Sequence, residues 1–112
     1  MSKLSKSQIQ MQIRHAAEES INVTITLHAS IRMRERKITN AMVFDVLRHG
    51  LLKREPETDL RHRGMQCQME RYCGGSNISV VVNVDFPSNG VIVITVFRVL
   101  WKIKCFITLM AA

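Results

Sequence analysis

Residues 21–38, INVTITLHASIRMRERKI, change period half-way along, and that change decides how the rest of the chain is read. Ile21–Leu27 is rich in β-branched residues and alternates weakly, which marks a strand. From His28 the spacing turns helical. His28, Arg32 and Arg36 fall at i, i+4 and i+8, so they stack along one edge of a basic helix running to about Lys37. An imidazole and two guanidinium groups on one edge suit a phosphodiester, because Arg offers permanently charged planar forks and His titrates near neutrality. The same spacing fits a solvated face with Glu35 as an internal ion partner. It also fits a junction histidine bonded to backbone, with Arg32 and Arg36 reaching across to Glu55 or Asp85.

Working outward, Leu4–Ser20 reads as an amphipathic helix. Ser5 and Gln8 have the spacing of a capping box, and Ile9, Ile13, Ala16 and Ala17 share a face. After the basic helix, Thr39 is an N-cap, with Ile38 and Val43 placed as a hydrophobic staple. The helix it opens carries Val43, Val46 and Leu47 on one face, ends on Arg48 and His49, and meets Gly50 as its C′ stop. From Leu51 the pattern is β: a short strand Leu51–Glu55, a polar loop from Pro56 to Gly64, and a strand Met65–Tyr72. Gly74-Gly75-Ser76 then signals a hairpin. In Ile78–Asp85, Ile78, Val80, Val82 and Val84 face one way and Ser79, Asn83 and Asp85 the other. Pro87–Gly90 turns into Val91–Val99, which is apolar on both faces and belongs inside the sheet. Strict alternation would leave Val91, Val93, Phe97 and Val99 together on the face the helices do not cover.

The chain has 112 residues, enough for one core, and divides into an N-terminal helix (1–21), a core domain (22–99) and an apolar tail (100–112). Hydrophobic residues make up 46% and charged residues 22%, the balance of a globular protein. Sixteen Lys and Arg against nine Asp and Glu leave +7, which favours an anionic partner: nucleic acid, a ribosomal surface or an acidic protein. Three cysteines and a polar N-terminus are expected of a reduced, cytoplasmic protein without disulfides or a membrane span. His62, Cys67 and Cys73 fit no zinc spacing, and Gly74-Gly75 lacks the Lys and helix of a phosphate loop, so neither metal nor cofactor is expected.

The run HASIRMRERKI, then VFDVLRHG, then VVVNVD and VIVITVFRV, resembles a small bacterial domain family of unknown function with the pattern H-A-x-x-R-M-x-x-R, V-x-x-V-L-x-x-G and two hydrophobic strands. His28, Ala29, Arg32, Met33, Arg36, Val43, Val46, Leu47 and Gly50 carry the match. The order strand, helix, helix and antiparallel meander is similar to that of the RelE/ParE-like toxin superfamily. The resemblance implies an α+β fold, with two or three helices on one face of a four- to five-stranded antiparallel sheet. It also implies a toxin of the toxin–antitoxin type, or a toxin-derived protein, cleaving messenger RNA on the ribosome without a metal. Such cleavage needs a 2′-hydroxyl to lose its proton, the phosphorane charge to be stabilised and the leaving oxygen to be protonated.

The candidate catalytic residues are His28, Arg32, Arg36 and Arg98, the last interrupting an apolar strand where its charge must find a partner. Arg61, His62 and Arg63, in the polar loop, and Tyr72 are candidates for gripping nucleic acid. The alternative is a non-enzymatic basic module of a mobile element or phage that binds nucleic acid or inhibits a host protein. The expected partners are RNA or the ribosome, a cognate antitoxin or host protein, and a second copy through the open sheet face or the tail.

Overall fold

A computed structural model describes residues 5–58, 64–73, 75–84 and 90–99. The loop residues Arg61, His62 and Arg63, and the tail 100–112, lie outside them. The first helix, α1 (Lys6–Ala16), opens on the capping box: Ser5 Oγ accepts from Gln8 N–H and Gln8 Oε1 accepts from Ser5 N–H. It is shorter than its sequence pattern, and a 3₁₀ turn at Ser20–Asn22 leads into β1 (Val23–Ile25).

Thr26 then caps α2 (Leu27–Arg36), its hydroxyl accepting from Ala29 N–H. Leu27 therefore belongs to the helix, not the strand. α2 stops at Lys37, whose φ of 56° is left-handed, and Ile38 N–H folds back 2.9 Å from Met33 O. Ile38 is buried by that closure, and Thr39 caps α3 (Asn40–His49) as its sequence predicts.

Five strands follow a path β1–β6–β5–β4–β2, where β2 is Leu51–Leu52, β4 Met65–Cys73, β5 Ser76–Val84 and β6 Val91–Val99; β3 (Glu57–Thr58) pairs further along β4. β2 is shorter than Leu51–Glu55. β4 and β5 form the expected hairpin through Gly75 at φ 87°, and β6 lies inside the sheet. The sheet is mixed rather than purely antiparallel, since β1 runs parallel to β6 with Val23 opposite Val91 and Ile25 opposite Val93. A β-branched run announces a strand but carries no information on its neighbour. Two hairpins fix the direction of β6, and β1 simply lies down beside it.

All three helices cover one face: α2 lies on β6, α3 crosses β4 and β5, and α1 packs on α3 and β2. Between them sit Ile9, Ile13, Val43, Val46, Leu47, Met69, Ile78, Val80, Val82 and Val84, all essentially inaccessible. Burial stabilises by about 1.5–3 kcal/mol for each large apolar side chain.

The expected grouping of Val91, Val93, Phe97 and Val99 is overturned by a bulge in β6. Val82 pairs with Val93 but Val81 pairs with Thr95, so Ile94 is an extra residue and the alternation inverts. Val91, Val93 and Val96 consequently join the core, while Phe97 and Val99 stand opposite Ser79 and Asn77 on the open face.

Candidate functional site

On a helix, four residues turn about 40° beyond a full circle. His28, Arg32 and Arg36 are thus steps of a spiral, and its end reaches the sheet. His28, in the first turn of α2, is exposed. Arg32 pairs with Glu35 at 2.7 Å on its own helix, and so does not bridge to Glu55. Arg36 has rotated far enough for Nη1 to donate to Val96 O at 2.6 Å.

Arg98 completes the arrangement from the other side. The bulge turns it toward the helices, opposite buried Ile78. Its Nε donates to Arg36 O at 3.0 Å, Nη2 to Lys37 O at 2.9 Å and Nη1 to Ser76 Oγ at 3.1 Å. Two arginines therefore clamp the end of α2 to β6, each on the other segment's backbone. Those carbonyls at a helix C-terminus lack helical partners, and a cation there also opposes the helix dipole favourably. The guanidinium that interrupts an apolar strand has found backbone, not an acid.

The sequence-derived site is therefore dispersed. Arg36 and Arg98 meet. His28 stands eight residues back along α2, about 12 Å away at 1.5 Å per residue. Tyr72 is on the opposite face of the sheet, paired with Asn77. Exposed Arg34, interleaved on α2, is a further cation, off the stripe of His28, Arg32 and Arg36.

A second constellation forms where α3 meets the edge of the sheet. Gly50 ends α3 as expected, in extended conformation (φ −76°, ψ 178°) and not in the left-handed one common at helix ends. What requires glycine is proximity: a Cβ would run into Val46 O and lie 2.9 Å from Glu70 O. This close approach brings His49, Leu51 and Lys53 beside Glu70, Arg71, Tyr72 and Asn77 around an open cleft of about 450 Å³.

Its charges are already organised. Arg71 Nε donates to Asp45 at 2.9 Å, and Arg14 donates to Gly50 O at 2.7 Å, tying α1 to the end of α3. Lys53 Nζ lies 3.8 Å from Glu70 Oε1, while Glu70 Oε2 accepts from Ser79 Oγ at 3.0 Å. Ser79 in turn accepts from Gln68. The two thiols among the described residues are not activated: Cys67 is buried and pushed up to about 11, and Cys73 is raised by burial and by Asp45, against Arg71 and Arg98. Among the described residues no cluster of His, Cys, Asp and Glu could hold a metal ion, and no helix is long and apolar enough to cross a membrane.

A family model described as a domain of unknown function, DUF4258, matches residues 25–98. The chain belongs to the DUF4258 family. Neither curated proteins nor solved structures yield a match. The DUF4258 segment begins at the end of β1 and closes on Arg98, so both halves of the arginine clamp lie within it, as does the cleft apart from the α1 contact. Sequence spacing found both clamp arginines but not their mutual role, since Arg36 and Arg98 are 62 positions apart.

Proposed function

We propose that this DUF4258 protein is a toxin-type or toxin-derived protein that acts on RNA without a metal, as a ribosome-linked endonuclease. The observation that carries the reading is the order β1, α2, α3 and a meander of β4, β5 and β6, of which all but the first two residues of β1 and the last of β6 lie within the family segment; it is the order implied by the RelE/ParE-like resemblance. The exposed start of α2 supplies the chemistry. His28 is the group that moves a proton at the 2′-hydroxyl or the leaving 5′-oxygen, and Arg32 offers positive charge to the phosphorane. The Arg32–Glu35 pair is half exposed and worth at most about 1 kcal/mol, so a phosphate can draw Arg32 away. Arg36 and Arg98 hold α2 in place and are positioning residues in this mechanism.

The test is transcriptome-wide mapping of RNA 5′ ends shortly after induction in a bacterial host, beside a His28→Ala/Arg32→Ala form. New ends within reading frames, absent from the variant, are the expected result. An unchanged pattern at normal expression overturns the proposal. Arg36→Ala and Arg98→Ala are unsuitable controls because they open the clamp.

One observation favours a non-enzymatic basic module instead. Two of the three candidate catalytic arginines, Arg36 and Arg98, are occupied by backbone carbonyls and hold structure together instead of facing a substrate. Salt-dependent capture of RNA without new 5′ ends would select that reading.

A further inference from the structure

The cleft between the end of α3 and the β2–β4 edge has chemistry of its own. Tyr72, near the end of β4, is 64% exposed, and Leu51, 59% exposed, projects from the same face because it pairs with Glu70 two residues before Tyr72. Together they offer a flat apolar wall. The cations around it already have acidic neighbours, Arg71 at Asp45 and Lys53 near Glu70.

Glu70 is different. Its side chain is only 13% exposed, yet an ionised carboxylate has about four acceptor positions. One is filled by the hydroxyl of buried Ser79; among the described residues the other oxygen has Lys53 at 3.8 Å, beyond hydrogen-bond distance. A carboxylate with acceptor capacity beside an exposed aromatic ring suits a planar ligand with donors along its edge. Single-stranded RNA supplies such ligands, since its unstacked bases lie on aromatic rings and present their Watson–Crick edges. A carboxylate selects among them. Guanine puts N1–H and its 2-amino group side by side, whereas uracil offers a single N–H between two carbonyls that repel the carboxylate. Asn77, opposite Tyr72 in the register, can both donate and accept at the remaining edge.

We infer that this cleft is a base-reading subsite for one unstacked guanine of single-stranded RNA, with the ring on Tyr72 and Leu51 and its donor edge on Glu70. The choice of ligand class rests on the RNA reading above, but not on cleavage.

The test is titration of the isotopically labelled full chain with GMP, IMP, AMP, CMP and UMP, followed by amide chemical shifts. GMP is expected to move Leu51, Arg71, Tyr72 and Asn77 and to bind about tenfold tighter than UMP. IMP, which keeps N1–H but lacks the 2-amino group, should fall between. Tyr72→Ala and Glu70→Gln should each weaken GMP about tenfold, while Tyr72→Phe retains it. Tyr72 is exposed, so its variants fold even if Glu70→Gln does not. Equal affinity for all five nucleotides, shifts confined to other surfaces, or GMP binding indifferent to Tyr72→Ala would overturn the inference. Selective GMP binding without new RNA ends in cells leaves it standing and removes only the cleavage reading; new ends without selective binding do the reverse.

Discussion

Cys67 shows how a single buried position makes a pH-dependent statement. It faces the core from β4, and burial lifts its thiol from an ordinary 9.0 to about 11. The folded protein therefore holds the proton that the unfolded chain releases. This contribution is fully present below pH 9 and is lost as pH rises from 9 toward about 11. Urea midpoints over that window should fall more steeply for the natural chain than for Cys67→Ala, which lacks the thiol. Parallel curves would show that Cys67 contributes nothing to the alkaline loss. Gly50 makes the complementary point, because its backbone is ordinary and only the nearness of Val46 O and Glu70 O demands the missing Cβ.

Thr26 joins two elements. Its hydroxyl caps α2 by accepting from Ala29 N–H, and also donates to Val93 O at 2.9 Å, beside the bulge in β6. Thr26→Ala removes both bonds and should cost about 1–2 kcal/mol in urea unfolding, with Thr26→Ser recovering most of it. Equal losses for both variants would mean that the methyl group, not the hydroxyl, matters. The bulge itself works at this scale. One extra residue at Ile94 inverts alternation along the second half of β6, sending Val96 and Arg98 to the helices and Phe97 and Val99 to the open face. Without that inversion Arg98 could not meet the carbonyls that end α2.

The molecule as a whole carries +7, and its helical layer presents His28, Arg32, Arg34 and Lys37 outward or at its edge. If RNA is the partner, the logarithm of affinity should fall linearly with the logarithm of salt concentration. Arg32→Gln/Arg34→Gln should lower that slope by about 1.4, or about 0.7 for each cation removed from a single-stranded contact. A slope unchanged by both substitutions would place the interface elsewhere. The two proposed surfaces then divide the work, α2 acting through charge and the cleft at the β4 edge through shape and hydrogen bonds, so only the first should be strongly salt-sensitive.

Local chemistry determined the elements. Ser5 and Thr39 as caps, the apolar face of Val43, Val46 and Leu47, the Gly75 hairpin and the alternation of Ile78–Val84 all act within a few residues, and each is visible in the order of the amino acids. The positions His28, Arg32, Arg36, Arg98 and Tyr72 were likewise legible as unusual residues, but not their partners. A guanidinium reports its charge in sequence, and not whether a carbonyl, a carboxylate or a phosphate will meet it. Only tertiary structure decided that β1 lies parallel to β6, that a bulge turns Arg98 onto α2, and that Gly50 brings the end of α3 against Glu70. Those outcomes depend on register and on contacts between residues tens of positions apart, which no local period encodes.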